Sequence, residues 1–219
     1  NDLFNKLQAG EVSLPEQASA AKAFLEKFRS QPEPYCALDL PKFRPIGRRR
    51  QFNFLLPKKL LWSLYWWPKM IINYLKDPNR GDYSNINPFW EIWDNFKKKI
   101  RVLIGFESFY DQADAEENFA FFPLHLEPEI ATLLYAPFYK DQLWLIKQIA
   151  RSLPLNFKLY VKEHPAMAGF RTRYFYRELK KIPNVKLVRP TMESLPLINN
   201  AKLIITISGT AGWEAIQLK

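Results

Sequence analysis

Apolar residues recur along this chain with two different periods. Ala18, Ala21, Phe24, Leu25 and Phe28 share one face at helical spacing, and Pro15 suits a first turn, so a helix is expected over 15–30. Residues 58–76 read as one or two short helices with an aromatic face, split at Pro68. Asp77-Pro78-Asn79-Arg80-Gly81-Asp82 is a turn signal, and a second aromatic and basic helix is expected from Pro88 to Ile104. The Pro- and Arg-rich stretch 31–53 reads as a linker.

The pattern changes at Asn118. Short apolar runs now alternate with amphipathic stretches. Strands are expected at 119–122, 157–161, 185–188 and 203–207, and helices at 141–151, 173–181, 192–199 and after Gly212. Strands alternating with helices of this length predict an α/β fold, with a parallel sheet covered by helices on both faces. Ligands of such sheets bind beyond the carboxyl ends of the strands. The expected division is a mainly helical region, 1–117, followed by a Rossmann-like domain, 118–219.

Composition narrows the chemistry. Cys36 is the single cysteine of the 219 residues, and the histidines are His125 and His164. A disulfide within the chain and a thiolate zinc site are excluded, and no metal site is expected. The net charge of +10 is concentrated: residues 41–100 hold 13 basic and 4 acidic residues and five of the seven Trp. Three readings of that block stand. It is a solvated linker with packed aromatics, a surface for an anionic membrane, or a nucleic-acid binder. The last is set aside because no recognised nucleic-acid motif accompanies it. Leu55 to Leu75 is interrupted by Pro57, Lys58, Lys59, Pro68, Lys69 and Asn73, so a spanning helix is not expected there. The chain starts at Asn1 with no initiator Met and no signal-peptide pattern and stops at Lys219 inside an expected helix, so it reads as part of a longer protein.

Three loops follow expected strands and carry the candidate chemistry. The first, Pro123 to Glu129, holds His125, Glu127 and Glu129, residues suited to sugar hydroxyls or to an ordinary solvated turn. The second, Lys162-Glu163-His164-Pro165, sets a cation and an imidazole near each other, as a phosphate requires, with Pro165 fixing the turn. The third, Ser208-Gly209-Thr210-Ala211-Gly212-Trp213-Glu214, is a glycine-containing turn into a helix. Gly209 and Gly212 permit close backbone approach, Ser208 and Thr210 add hydroxyls, and the helix start offers free N–H groups to an anion. Glu214 reads as a first-turn acid or a contact for sugar hydroxyls. A Walker loop and a dinucleotide fingerprint are both absent from this stretch.

On these residues the chain resembles the capsule polysaccharide biosynthesis family of bacterial glycosyltransferase-like proteins, which includes the Kdo transferases. The segments that carry the likeness are FPLHLEPE (Phe122 to Glu129), LYVKEHP (Leu159 to Pro165), PNVKLV (Pro183 to Val188) and SGTAGWEAI (Ser208 to Ile216), in that order. Glu127 stands where the family more often has Gln. The resemblance implies a GT-B fold, with 118–219 as much of the carboxyl-terminal, nucleotide-sugar-binding domain. It implies that His164-Pro165 meets the donor phosphate, that Ser208, Gly209 and Thr210 form a phosphate loop, and that Glu214 meets a ribose. The implied partners are a nucleotide sugar, CMP-Kdo in the characterised branch, and a glycan or glycolipid acceptor. No cofactor is implied, and the transfer is expected to be metal-independent. The implied setting is the cytoplasm or the inner face of the inner membrane. Two other classes stand beside it: a non-catalytic glycan- or nucleotide-binding module, and a sugar-nucleotide epimerase on the same fold.

Overall fold

The computed structural model describes residues 6, 9, 15–33, 56–79, 87–114, 116–167 and 169–218. Most of the 31–53 stretch, Cys36 and Arg80 to Asp82 lie outside the described residues. Strands β1 (Phe119–Pro123), β2 (Lys158–Lys162), β3 (Val185–Val188) and β4 (Leu203–Ile204) form one parallel sheet in the order β3-β2-β1-β4. The α/β expectation therefore holds. β1 pairs with β2 along its whole length, from Phe119 opposite Lys158 to Pro123 opposite Lys162.

Alternation along the strands sorts the core into two layers. Ala120, Phe122, Leu159, Val161 and Leu187 point to one face. Helices α4 (Gln142–Ser152) and α5 (Arg173–Lys180) cover that face with Ile146, Ala150, Tyr176 and Leu179. Phe119, Phe121, Tyr160 and Val188 point the other way, against α6 (Ser194–Asn200) and α7 (Thr210–Leu218). Asp141 caps α4 by accepting from Trp144 N at 3.0 Å. Phe106 and Phe109 join the first layer, and Asp111 N donates to Leu187 O at 2.8 Å. The α/β packing thus extends upstream of residue 118.

The amino-terminal helices are α1 (Pro15–Ser30), α2 (Pro57–Lys76) and α3 (Pro88–Ile104). α1 rests on α7 through Phe28 and a bond from Arg29 Nε to Gln217 O at 2.9 Å. Of its expected apolar face, Phe28 is buried and Leu25 half-buried, while Phe24 stays exposed. The split at Pro68 does not occur: α2 is one helix with Pro68 inside it. A proline in mid-helix removes one N–H bond. Here the turns on either side hold, with Trp62 against Trp66 (ring centroids 5.4 Å) and Lys69 over the Trp66 ring at 5.4 Å. The turn signal at Asp77 is realised as Asn79 N donating to Asp77 Oδ1 at 2.8 Å.

Two boundaries at the last strand move. β4 was expected to run to Ile207 but closes at Ile204, with one further ladder bond from Ile205 N to Phe121 O at 2.9 Å. The Thr206 hydroxyl then donates to Ser208 O at 2.7 Å and curls the chain. α7 begins at Thr210, not after Gly212. The sharp turn belongs to Gly209, whose φ of 110° lies in the region glycine tolerates. Gly212 is a helical residue pressed on Thr206; a Cβ there would lie 2.8 Å from Thr206 Cγ2. Its role is packing, not loop freedom.

Candidate functional site

A parallel sheet in this order reverses direction between β1 and β4, and the carboxyl ends of strands at such a reversal are where α/β folds hold ligands. The loops after β1 and β4 meet there. Ser208 N donates to His125 Nε2 at 3.0 Å, and the same nitrogen lies against the Ser208 carbonyl oxygen. Either neutral tautomer satisfies one of these two contacts. Both leave His125 Nδ1, a buried atom, without a hydrogen-bond partner among the described residues, and the buried Ser208 Oγ also lacks one. Buried polar atoms are normally paired, so an unpaired pair of donors or acceptors on the edge that receives ligands marks a polar binding position. Gly209 is the next residue, close enough that an added Cβ would sit 3.7 Å from His125 Nε2, in ordinary van der Waals contact.

His125 is held from behind by two groups that no local sequence pattern announces. Gln142, in the first turn of α4, accepts from His125 N at 2.8 Å, and its amide nitrogen donates to His125 O at 3.2 Å and to Glu127. Arg171 donates through Nη2 to His125 O at 2.8 Å and through Nη1 to Glu127 Oε1 at 3.2 Å. Its Nε lies 3.3 Å from Glu163 Oε1, and its guanidinium stacks on Phe175 at 4.7 Å. The first loop is therefore a braced structure, and Glu127 is tied into the brace. Glu129 serves the following turn through its carbonyl, which accepts from Thr132 Oγ1 at 3.1 Å.

Behind Arg171 stands Glu163, wholly enclosed, its two carboxylate oxygens each 2.7 Å from the Tyr176 hydroxyl. Burial pushes this carboxyl up to about 7, against the Tyr176 hydrogen bonds and the Arg171 cation, which pull it down. The folded state thus holds the Glu163 proton over a range, between 4.5 and about 7, where the unfolded chain releases it. Stability from this group is greatest below that window and is lost as pH rises through it, by about 3 kcal/mol at most. Glu163→Gln should flatten that slope in urea unfolding measured from pH 5 to pH 8. An unchanged slope would place the titration elsewhere.

The second loop starts one residue later than its sequence suggested, at Glu163, because Lys162 is the last residue of β2. Lys162 is 7% exposed, and burial lowers its ammonium to about 8. His164 is exposed and leads into a short turn at Pro165–Met167. Its pKa is lowered by burial and by the Lys162 charge, against Glu129, which raises it. Its Nδ1 accepts from Ala166 N at 3.2 Å, which puts the proton of the neutral ring on Nε2, ready to donate. Lys162, His164 and Glu129 therefore act on one another across the first and second loops.

Of the third loop, Ser208 is half-buried and Gly209 and Thr210 are exposed at the start of α7. Glu214 lies beyond the first turn and is 5% exposed, so it faces the interior rather than the first-turn N–H groups expected of it. The earlier start of α7 is the reason. Among the described residues no group of three or more His, Cys, Asp or Glu is placed to hold a metal ion. A cavity of about 670 Å³ lies at the other end of the strands, between Lys147, Arg151, Lys158 and Lys181, away from all three loops. No family model, curated protein or solved structure matches this chain.

Proposed function

We propose that this chain binds a nucleotide sugar on the carboxyl edge of its sheet and is part of a glycosyltransferase of GT-B architecture that builds capsule or surface polysaccharide. The observation that carries the reading is the meeting of the β1 and β4 loops at the reversal of strand order, with buried His125 Nδ1 and Ser208 Oγ unpaired there. Such an edge is where α/β folds hold nucleotides. The start of α7 supplies N–H groups for a phosphate, and Lys162 and His164 stand at the end of β2, two strands from β4. The four sequence segments resembling the capsule family lie along this same edge or lead to it.

In the proposed reaction the bond from the donor phosphate oxygen to the anomeric carbon breaks, and its electron pair stays on the phosphate. An acceptor hydroxyl forms the new bond and gives up its proton to a base. Charge accumulates on the leaving nucleotide, so fixed donors aimed at that phosphate lower the barrier. His164 Nε2–H, the Lys162 ammonium and the first turn of α7 fill that role. An anion beside Lys162 also restores the ammonium that burial weakens. The donor class proposed is CMP-Kdo, and the acceptor a glycan or lipid-linked glycan.

Incubation of the intact protein with a glycolipid acceptor and either CMP-Kdo or UDP-sugars, followed by product analysis, tests this. The expected result is sugar on the acceptor and free nucleotide from one donor. Tight nucleotide binding without any transfer would replace the transferase by a binding module. No nucleotide binding at all would remove the site.

A further inference from the structure

Helices α2 and α3 turn their apolar sides the wrong way for a core. An amphipathic helix of a water-soluble fold buries its apolar stripe. In α3 the stripe Phe89, Trp93, Phe96, Ile100 and Leu103, spaced at three and four residues, is exposed to solvent, as are Trp90 and Ile104. The side that meets the domain is instead cationic. Arg101 Nη1 donates to Gly169 O at 3.2 Å and to Phe170 O at 2.9 Å, and Lys98 Nζ sits 3.2 Å from the centre of the Phe170 ring.

α2 repeats the arrangement. It packs on α3, with Lys99 reaching over the Trp67 ring at 5.7 Å. Leu61, Leu64, Tyr65, Ile72 and Leu75 form its outward stripe, flanked by Trp62 at 63% exposure. No residue of α2 is buried. Large apolar side chains left exposed along both helices mark a surface that meets a partner or a membrane.

Charge decides what covers this face. α2 carries Lys58, Lys59, Lys69 and Lys76 and no acid, and these lysines charge the face; on α3, Lys98 and Arg101 are turned to the domain and Lys97 pairs with Asp94 at 2.6 Å. All but one of these cations are lysine. Protein interfaces are depleted in lysine and enriched in arginine. Lysines with long apolar stems beside exposed Trp and Tyr are instead the composition of a surface at a bilayer, where rings sit among headgroups and ammonium groups meet lipid phosphates. No helix among the described residues is long and apolar enough to cross a membrane, so the mode is adsorption in the plane.

We propose that the outward faces of α2 and α3 form a docking surface for an anionic lipid bilayer. The reaction assigned above is not required for this, and the two stand or fall separately.

The test is co-sedimentation of the protein with vesicles of phosphatidylcholine and phosphatidylglycerol in equal parts, beside vesicles of phosphatidylcholine alone. Tryptophan emission is followed, with quenching by brominated lipid. The expected result is binding to the anionic vesicles, a blue shift with quenching, and weakening as salt is raised. Lys58→Glu with Lys59→Glu should weaken binding by about tenfold or more. Trp62→Ser with Trp93→Ser should abolish the blue shift. Because wild-type quenching reports insertion without any variant, a misfolded variant does not rescue or sink the idea. Absence of binding, equal binding to neutral vesicles, or self-association through this face in lipid-free buffer at the same protein concentration would overturn it.

Discussion

Replacing Arg171 by alanine is expected to destabilise the fold by about 2–3 kcal/mol, the cost of leaving buried acceptors unsatisfied, because Glu163, already raised to about 7, can shed its charge by taking up a proton. Arg171 is 6% exposed, donates to Glu127 and the His125 carbonyl, and stands as an ion-pair partner 3.3 Å from Glu163. Without it, Glu163 keeps only Tyr176, and the first loop loses its tie to the segment before α5. Urea unfolding at neutral pH reads the loss directly. The loss should shrink below the window in which Glu163 ionises, because a protonated carboxyl needs no cation. Combining Arg171→Ala with Glu163→Gln should recover part of the stability above about pH 7, where keeping Glu163 protonated costs free energy. A loss under about 1 kcal/mol at neutral pH, the range of an exposed ion pair, would show that the network is solvated.

His164→Ala in the intact protein is expected to lower turnover by about 10²-fold, the scale for removing one fixed donor to a developing anion. The side chain is exposed, with its Nδ1 engaged by Ala166 N, so the substitution leaves the core untouched. Folding by circular dichroism should be unaltered and kcat should fall more than KM rises. Gln, which keeps a side-chain N–H donor, should restore part of the activity. The neutral ring suffices as a donor, so the rate should not collapse as pH rises through the ordinary histidine range. The fall in kcat/KM should come near pH 8, where Lys162 of the free protein loses its proton. Unchanged turnover in His164→Ala would remove this residue from the reaction.

The contrast between Arg171 and His164 also shows what was legible in the residues alone. His164 announces itself: it follows an apolar run and precedes a proline, so its strand-end position is readable locally. Arg171 does not. It lies between two helices, outside any periodic pattern, and matters only because α5 and the first loop come together over β2. Gln142 is the same case, a polar residue in the first turn of an amphipathic helix with nothing to distinguish it from a solvated one. The start of α7 was misplaced because glycine is ambiguous in sequence. Gly209 takes a positive φ and turns the chain, whereas Gly212 is helical and merely small against Thr206. Pro68 misled for a related reason: neighbouring side-chain contacts hold the helix through the one bond it lacks.

The sequence by itself determined the elements and their alternation. Period-two and period-3.6 patterns are local consequences of which faces must be buried, and they fix an α/β fold with its strand-end loops. Tertiary structure decided which loops meet. Strand order places β1 between β2 and β4, so the loops carrying His125 and Ser208 touch although 83 residues separate them. It also decided the fate of the basic aromatic helices. Their amphipathic pattern says only that one side is apolar, and the packing of Lys98 and Arg101 against the domain turned that side outward. Pairings over long separations depend on backbone hydrogen bonds and packing across the sheet, which no local pattern encodes.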